Sequence, residues 1–323
     1  MKIGGGEFSG NCAAADTLRG VSGEDERAMS AEAEVGLLPR ILRLLTFRLP
    51  LRSGYGRLSN GGPLPGLPWG RWWAPLRDGG RIHCYLDDYI GNSLFYFGDL
   101  DAKVSWVVKR SLAPGDTFLD IGANVGILSI LGSRLVGDQG RVLAVEPNPG
   151  IADMLVESLE VNGCSNVTVG RYALGEEEGE LPLSVPRRNL GGASLGAPGG
   201  DGIVVPVKTL RSVLEEEGIG TPRMVKLDVE GFEVSVLKGI LEVWKQESPE
   251  VILFEHLGRE EVADSEVGRM LSGLGYCFFR IPRNWFRVRL MPDRKGINPG
   301  EVTHDVVAVR PGSPACARLG VDA

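Results

Sequence analysis

The stretch GDTFLDIGANVG, residues Gly115–Gly126, decides the fold of this 323-residue chain. Its apolar first half predicts a buried central strand with Asp120 near its carboxyl end. Gly122 and Gly126 permit backbone angles and close contacts that a side chain would block. Residues 127–135 then repeat apolar positions at helical spacing, so the turn opens onto a helix whose first N–H groups can face a ligand. Strand, turn and helix together predict a nucleotide-type cofactor site.

The glycine turn departs from the dinucleotide fingerprint at its middle position. Asn124 stands where that fingerprint has glycine, and only Gly122 and Gly126 remain. A pyrophosphate would press against the backbone at this point. The turn therefore argues against a nicotinamide dinucleotide and favours a smaller ligand without a diphosphate.

A second landmark is RVLAVEPN at residues 141–148, an apolar strand that ends in an acid. Glu146 follows the glycine turn by about twenty residues, which is the place of a ribose-binding carboxylate. Its two oxygens can accept hydrogen bonds from both ribose hydroxyls.

Several further motifs follow in a fixed order. The full set is DIGANVG at 120–126, EPN at 146–148, Asn162, ALG at 173–175, VKLDVEGFE at 225–233 and LKG at 237–239. Together they resemble the FkbM-type family of S-adenosylmethionine-dependent methyltransferases, over roughly residues 85–310. The resemblance implies a Rossmann-like class I methyltransferase fold with S-adenosyl-L-methionine as cofactor.

Strand and helix patterns alternate along the core, which predicts an α/β fold with a doubly wound, mostly parallel sheet. Seven strands are expected near residues 117–121, 141–146, 166–172, 223–228, 250–255, 276–281 and 302–309. The helices are expected near residues 125–137, 149–163, 209–217, 233–243 and 260–273. The last two strands lack a good intervening helix, so they suit an antiparallel hairpin at one edge of the sheet.

The chain divides into four expected regions. Residues 1–36 are rich in Gly, Ala, Ser and acids and predict a disordered tail. Residues 37–80 predict a basic amphipathic helix followed by a linker rich in Gly, Pro and Trp. Residues 81–312 form the FkbM-like methyltransferase domain, and residues 313–323 form a C-terminal tail.

The helix predicted at residues 37–49 has two unlike sides. Arg40 and Arg43 lie on one side. The apolar side holds Leu38, Ile41, Leu42, Leu45 and Leu49. Such a helix can lie on an anionic membrane surface, although docking onto the catalytic domain is the commoner arrangement. The tryptophans that follow it can pack on the domain or line a substrate mouth, and packing is favoured.

The segment before the first core strand is expected to cover the cofactor from one side. Residues 81–86 alternate as a strand, residues 92–98 offer a second extended piece, and residues 101–110 read as a helix. Two insertions are also expected. Residues 179–207 have strand-like flanks and a glycine-rich tip, which suggests a lid, and residues 282–300 form a loop that varies with substrate.

The ligand of an open α/β sheet sits beyond the carboxyl ends of the strands. The expected cofactor-binding residues are Asp120, Gly122, Ala123, Asn124, Gly126, Glu146, Pro147, Asn148, Ala173, Leu174 and Asp228. The resemblance implies that backbone groups of Gly122–Gly126 hold the amino-acid part, Glu146 the ribose and Asp120 the methionine ammonium. Ala173 and Leu174 would abut the adenine.

The candidate catalytic residues are Asp228, Glu230 and His256. A carboxylate at Asp228 or Glu230 can orient an acceptor hydroxyl or take its proton. Glu230 can instead cap the helix that begins near Phe232. His256, which follows Glu255 at a strand end, can be a general base or a structural residue. Lys226 is expected to be an ion-pair partner.

Composition and charge limit the other kinds of function and location that we expect for this protein. The net charge of −7 gives no general case for nucleic-acid binding. Five widely spaced cysteines and three histidines predict neither a disulfide framework nor a metal site. No signal peptide or membrane-spanning stretch is evident in the sequence, so a cytoplasmic location is expected.

The leading hypothesis is a methyltransferase that O-methylates a hydroxyl of a sugar, glycan or secondary-metabolite precursor, an acceptor class that the resemblance alone implies. Two alternatives stay open. One is a nicotinamide-dependent oxidoreductase, which the missing glycine disfavours. The other is a non-catalytic cofactor-binding scaffold at a membrane surface. The expected partner is a small-molecule or glycan acceptor, and peripheral membrane contact through residues 37–49 stays open.

Overall fold

The computed structural model describes residues 35–48, 70–86, 88–184, 194–195, 202–258, 260–284, 286–298 and 300–322. The predicted disordered tail, up to residue 34, lies outside the described residues. So do most of the predicted linker and the tip of the predicted lid.

The described elements follow the predicted alternation. The helices are α1 (Leu37–Arg48), α2 (Tyr89–Phe97), α3 (Ala102–Ser111), α4 (Ile127–Val136), α5 (Pro149–Val161), α6 (Leu210–Glu216), α7 (Glu233–Lys238), α8 (Leu241–Trp244), α9 (Glu266–Gly273) and α10 (Pro314–Leu319), with a 3-10 turn at Val262–Asp264. The strands are β1 (Arg71–Pro75), β2 (Arg81–Tyr85), β3 (Thr117–Ile121), β4 (Arg141–Val145), β5 (Val167–Gly170), β6 (Ala173–Gly175), β7 (Gly179–Ser184), β8 (Ser194–Leu195), β9 (Ile203–Thr209), β10 (Met224–Leu227), β11 (Val251–Glu255), β12 (Cys277–Pro282), β13 (Met291–Pro292) and β14 (Val302–Val309).

The central sheet has the strand order β13-β12-β14-β11-β10-β3-β4-β5. The neighbours from β11 to β5 run parallel, whereas β14 pairs antiparallel with both β11 and β12. This is the predicted Rossmann-like class I methyltransferase fold, including its antiparallel hairpin. The sheet has eight strands instead of the predicted seven, because the two-residue strand β13 pairs with β12 beyond that hairpin.

The parallel strands are buried on both faces. Every residue of β10 is buried, as are four of the five in β3, which explains why these strands read as nearly continuous apolar runs. Leu119 and Ile121 face one helical layer, which includes α6, α7 and α9. Phe118 and Asp120 point to the opposite face, where Asp120 meets Ser129 of α4.

The chain reverses its direction across the sheet at β3. It proceeds from β3 to β4 and β5 on one side, and later returns to form β10 on the other side. A ligand crevice forms at such a switch point, outside the carboxyl ends of the strands. The register places Asp120 opposite Lys226 there.

A second, smaller sheet carries the insertion after β5. Its order is β6-β9-β7-β8, and β7 pairs antiparallel with β9. The strand-like flanks predicted for residues 179–207 are thus present, and Leu183 reaches the central cavity.

The extended piece predicted at residues 92–98 is wrong, because these residues belong to helix α2. Asp88 caps its start by accepting a hydrogen bond from Gly91 N at 2.7 Å, and Gly98 ends it in the left-handed conformation. All residues of α2 after Tyr89 are buried. A helix that is buried all round shows no amphipathic period, so the pattern could not reveal it.

Two predicted boundaries are also wrong. Residues 71–75 were expected in a linker but form β1, which pairs with β2; Trp72 of this strand is buried and Trp73 stacks on His83. The expected C-terminal tail contains α10, whose Ala315 and Leu319 are buried in the core.

The amphipathic helix predicted at 37–49 is confirmed as α1, but its two sides are arranged differently. The Arg43 guanidinium lies 5.1 Å from the ring centroid of Phe95, and Thr46 Oγ1 donates to the carbonyl of Tyr96. This side docks on α2. The outward side exposes five apolar side chains, namely Leu37, Leu38, Ile41, Leu44 and Leu45.

Candidate cofactor and acceptor site

A cavity of about 340 Å³ opens at the carboxyl ends of the central strands. The structure brings to its wall the predicted residues Asp120, Gly122, Ala123, Asn124, Glu146, Pro147, Ala173, Leu174, Asp228 and Glu230. Three other predicted residues, Gly126, Asn148 and His256, do not line it. The preceding segment closes part of the same cavity through Tyr89, Asp99 and Asp101.

The turn after β3 is tied down by its own backbone. Gly122 N and Ala123 N both donate to Val145 O at 2.9 Å, and Gly126 N donates to Ala123 O at 3.0 Å. Asn124 N donates to Glu146 Oε2 at 3.0 Å. Each of these four N–H groups therefore has an internal acceptor. That backbone groups of Gly122–Gly126 hold the amino-acid part of the cofactor stays a prediction.

Glu146 is a buried acid held in a fixed orientation. Its Oε1 accepts from Asn148 N at 2.9 Å, and its Oε2 accepts from Asn124 N at 3.0 Å. Each carboxylate oxygen keeps a further lone pair for a ligand hydroxyl. Burial raises the pKa of Glu146 to about 7, against the lowering effect of these two backbone donors. Asn148 thus acts by positioning Glu146 and by capping α5.

Asp120 lies beneath the cavity and is 1% exposed. Its Oδ2 accepts from Ser129 Oγ at 2.6 Å, whereas its Oδ1 has no hydrogen-bond partner. Burial raises the pKa of this carboxyl above its usual range. A buried oxygen without a donor is costly, so Asp120 Oδ1 suits a ligand that brings a donor or a positive charge.

Lys226 is confirmed as an ion-pair residue. Its Nζ lies 3.2 Å from Asp228 Oδ2 and 3.9 Å from Asp120 Oδ1, and it donates to Gly122 O at 2.5 Å. Burial alone would lower the pKa of Lys226, but the two carboxylates raise it above its ordinary value. The ammonium therefore joins β10 to the turn after β3.

The loop after β10 presents Asp228 and Glu230 to the cavity. Glu230 has a φ of 51° and is followed by Gly231 at 96°, a left-handed backbone that non-glycine residues seldom adopt. Glu230 does not cap the next helix, because the start of α7 has no side-chain cap. The loop is held by Glu233, whose Oε1 accepts from Val229 N at 3.1 Å. Burial and Asp228 raise the pKa of Glu230.

His256 lies apart from this group. Its backbone N donates to His304 O at 2.8 Å, and its Nε2 is 3.3 Å from Glu260 O. It lines a second pocket together with Arg280 and Asp293. The geometry gives His256 a structural position at the strand end and no access to the cofactor cavity.

Gly126 is also structural, since it starts α4 with a φ of 97°. A Cβ on Gly126 would lie 2.4 Å from Leu155 Cδ1 of α5. This glycine therefore allows α4 and α5 to pack closely.

Four acids in the cavity wall were missing from the predicted site, namely Asp99, Asp101, Glu255 and Asp305. Glu255 ends β11 and Asp305 lies directly opposite it on β14. Burial, with the neighbouring carboxylates, raises the pKa of each to about 7. The position of Glu255 at a strand end was a usable signal. The sequence signal for Asp305 was weaker, because this acid only precedes the apolar run VVAV at residues 306–309.

Within the described ranges, no three histidine, cysteine or acidic side chains are arranged to hold a metal ion. None of the described helices is both long and apolar enough to cross a bilayer.

The fold and cavity define an α/β protein with a nucleotide-type pocket at the switch point of its sheet. The family model described as the methyltransferase FkbM domain matches residues 120–281. This match covers half of the chain, and the protein belongs to the FkbM methyltransferase domain family.

Characterised relatives align with part of the chain. A hexuronic acid methyltransferase of Haloferax volcanii is 29% identical over 127 residues, which cover 39% of this chain and 50% of that protein. A methyltransferase of Sordaria araneosa is 31% identical over 161 residues, which cover 39% of this chain and 61% of that protein. The chain thus spans half to about three fifths of the length of these relatives.

Solved structures with a similar fold include two methyltransferases. A precorrin-6y C5,15-methyltransferase of Geobacter metallireducens has a TM-score of 0.37 at 15% identity, over 65% of this chain and 87% of that one. An O-methyltransferase of Bacillus cereus, solved with SAH, has a TM-score of 0.35 at 13% identity, over 64% of this chain and 79% of that one.

Proposed function

We propose that this protein is an S-adenosylmethionine-dependent methyltransferase that O-methylates a hydroxyl of a sugar, glycan or secondary-metabolite precursor. The observation that carries the proposal is the pairing of Asp120 and Glu146 in one cavity of an FkbM-family fold. Asp120 Oδ1 has no hydrogen-bond partner and lies 3.9 Å from Lys226 Nζ, so it suits the ammonium of the cofactor, and the fixed Glu146 carboxylate suits its ribose hydroxyls. The sugar part of the proposal draws on the relative named as a hexuronic acid methyltransferase, from which only the sugar and not its acid group is carried over.

The cofactor supplies an electrophilic methyl group on a positively charged sulfur. The protein's part is to hold that methyl and an acceptor oxygen in line. Asp228, which Lys226 holds at 3.2 Å, would orient the acceptor hydroxyl. Glu230 would accept the proton of that hydroxyl, whose oxygen would receive the methyl group that the bound cofactor supplies. The raised pKa of Glu230 favours this acceptance.

Calorimetric titration with S-adenosylhomocysteine, beside NADH, tests the cofactor. We expect binding of S-adenosylhomocysteine alone, and a loss of at least about tenfold in affinity for Glu146→Ala, because a hydrogen bond to a charged group contributes about 1.5 to 3 kcal/mol. Glu146→Gln is a conservative second variant that keeps an acceptor for one backbone donor. It therefore distinguishes a loss of affinity caused by the missing carboxylate from a loss caused by unfolding. Glu160→Ala removes an exposed acid of α5 and should leave the affinity unchanged.

Other outcomes separate the alternatives. Heat from NADH and none from S-adenosylhomocysteine would favour the oxidoreductase. Heat from neither would contradict the cofactor proposal and favour a scaffold without catalysis.

We also propose that α1 contacts an anionic membrane surface through its outward apolar side. Leu37 is 75% exposed and Leu44 is 62% exposed. Residues 37–83 carry eight arginines against the single acid Asp78. Arg43 lies on the docked side, whereas Arg40 of the same helix is exposed. Apolar side chains with basic neighbours are typical of interfacial helices.

Co-sedimentation with vesicles tests this contact. The full chain should bind anionic vesicles, and a Leu37→Ser, Leu44→Ser double variant should bind at least about tenfold more weakly, because each buried leucine contributes about 1.5 to 3 kcal/mol. Val204→Ser, at an exposed apolar residue of β9, is the matched control. Equal binding of the double variant and the control would contradict the proposal.

A further inference from the structure

Five of the eight acids that line the cavity are spread across the carboxyl edge of the sheet. Glu146 follows β4, Asp120 lies in β3, Asp228 follows β10, Glu255 ends β11 and Asp305 lies in β14. These five strands are successive neighbours in the sheet. Because neighbouring strands are about 4.8 Å apart, β14 lies about 14 Å from β3. The cavity therefore has one end over β3 and β4 and another over β11 and β14.

The end over β3 and β4 is the proposed cofactor end. It holds the glycine turn, Glu146 and the Ala173–Leu174 pair. The end over β11 and β14 remains for the acceptor, and Glu255 and Asp305 lie there. Their Cα positions are partners in the antiparallel ladder, so both side chains belong to the same stretch of cavity wall.

The acceptor end has a surplus of negative charge. Lys226 is the only basic residue among those described in the cavity wall, and it contacts Asp228 and Asp120. Lys103, the other nearby cation, pairs with Asp101 at 3.3 Å. Within the described part of the chain, no lysine or arginine forms an ion pair with Glu255 or Asp305.

The electrostatic interactions of these two groups agree with that surplus. After burial, the acids Asp228, Glu230 and Glu233 raise the pKa of Glu255, and Lys226 has a smaller, lowering effect. For Asp305, again after burial, Asp101, Asp228 and Glu255 raise the pKa, while Lys103 opposes them.

We propose that the acceptor carries a protonated amine, which Glu255 and Asp305 bind beside the hydroxyl to be methylated. This inference rests on the proposed methyltransferase function and adds the class of acceptor. An ammonium group offers three N–H donors and a positive charge to the two carboxylates. A uronic acid or a sugar phosphate would instead bring a negative charge against Asp228, Glu255 and Asp305, which opposes binding at a pH where these carboxyls are ionised.

Binding to the S-adenosylhomocysteine complex tests the proposal with three matched probes: a hexosamine, the parent hexose and the corresponding hexuronic acid. Calorimetry on the full chain should show the hexosamine binding at least about tenfold more tightly than the hexose, as one charge-assisted hydrogen bond predicts. The hexuronic acid should bind most weakly. Equal or tighter binding of the hexose or the hexuronic acid would overturn the proposal, and so would an absence of hexosamine binding.

Charge-removing variants identify the residues responsible. Glu255→Gln and Asp305→Asn should each reduce the preference for the hexosamine by about tenfold, with the affinity for S-adenosylhomocysteine unchanged. Asp153→Asn is the matched control, because it changes the net charge equally at an exposed surface pair with Arg171. An equal loss in Asp153→Asn would mean that net charge alone sets the preference, which would overturn the assignment.

The two proposals fail in different ways. A complex with S-adenosylhomocysteine that shows no preference for the amine would contradict only the acceptor class. A protein that does not bind S-adenosylhomocysteine would contradict the proposed function itself.

Discussion

Gly122→Ala should be among the most damaging single-methyl additions to this protein. A Cβ on Gly122 would lie 1.8 Å from the carbonyl oxygen of Asp228, and the backbone there has a φ of 76°. The left-handed conformation costs an alanine about 1 to 2 kcal/mol, and forced displacement of packed groups typically adds about 1 to 3 kcal/mol. We therefore expect a loss of about 2 to 5 kcal/mol in the free energy of unfolding, measured by urea denaturation.

The clash should also affect the site, because the atom that must move belongs to Asp228. Variant protein that still folds should bind S-adenosylhomocysteine weakly and show little turnover. Gly320→Ala is the matched control: its φ is 68° and its ψ is 41°, and no atom lies within 4 Å of the added Cβ. The control should lose only the conformational cost of about 1 to 2 kcal/mol. Equal losses in the two variants would show that close approach to Asp228 O is unimportant.

The fold was predictable where short-range patterns decide it. The β3 strand, the glycine turn and α4 lie within twenty-two residues, from Gly115 to Val136, and each has a local signal. The alternation of strands and helices then fixed a mostly parallel sheet. The antiparallel pairing of β12 with β14 was also predictable, because no helix separates the two segments long enough for a parallel crossover.

The misassigned elements share a physical cause: their buried residues do not recur with the period of an amphipathic helix or of a half-buried strand. Helix α2 is buried almost all round and reads like a strand. Strand β1 lies among glycines and prolines, yet its tryptophans are packed. On α1 the sides were assigned by polarity, but Arg43 turns inward to stack on Phe95 and leaves leucines exposed. Contacts between distant segments decide these cases.

The candidate site also contains some features that the sequence predicts and others that depend on long-range contacts. Asp120, Glu146 and Asp228 are strand-end acids that the sequence marks, and they meet in one cavity. The orientation of Glu146 by backbone donors could not be read from the sequence, because it depends on the turn after β3. Asp305 reaches the cavity only because β14 is placed next to β11, which is a long-range pairing.

Lys226→Met should have a comparably large effect, with a distinctive dependence on pH. The substitution keeps the apolar stem of the side chain but removes the only ion-pair partner described for the buried Asp120. Breaking a buried pair by removing one partner typically costs about 3 to 5 kcal/mol. We expect a loss of this size in the free energy of unfolding, together with reduced binding of S-adenosylhomocysteine.

The sign of the pH effect follows from Asp120. Burial already raises the pKa of this carboxyl in the folded protein, and loss of the Lys226 charge must raise it further. A group whose pKa is higher in the folded than in the unfolded state stabilises the fold below its unfolded pKa, and this contribution is lost as pH rises through the folded pKa. The destabilisation by Lys226→Met should therefore grow as pH rises above the ordinary pKa of an aspartate.

A double variant makes this explanation testable. Asp120→Asn removes the charge that Lys226 offsets, and its amide can still bond Ser129 Oγ. In the Lys226→Met, Asp120→Asn protein no buried carboxylate is left uncompensated at this position, so most of the loss and its pH dependence should disappear. The coupling free energy from the double-mutant cycle should exceed about 1 kcal/mol. If the two losses simply add and neither depends on pH, then Lys226 stabilises the protein through its contacts with the carbonyls of Ile121 and Gly122, and compensation of Asp120 is not its role.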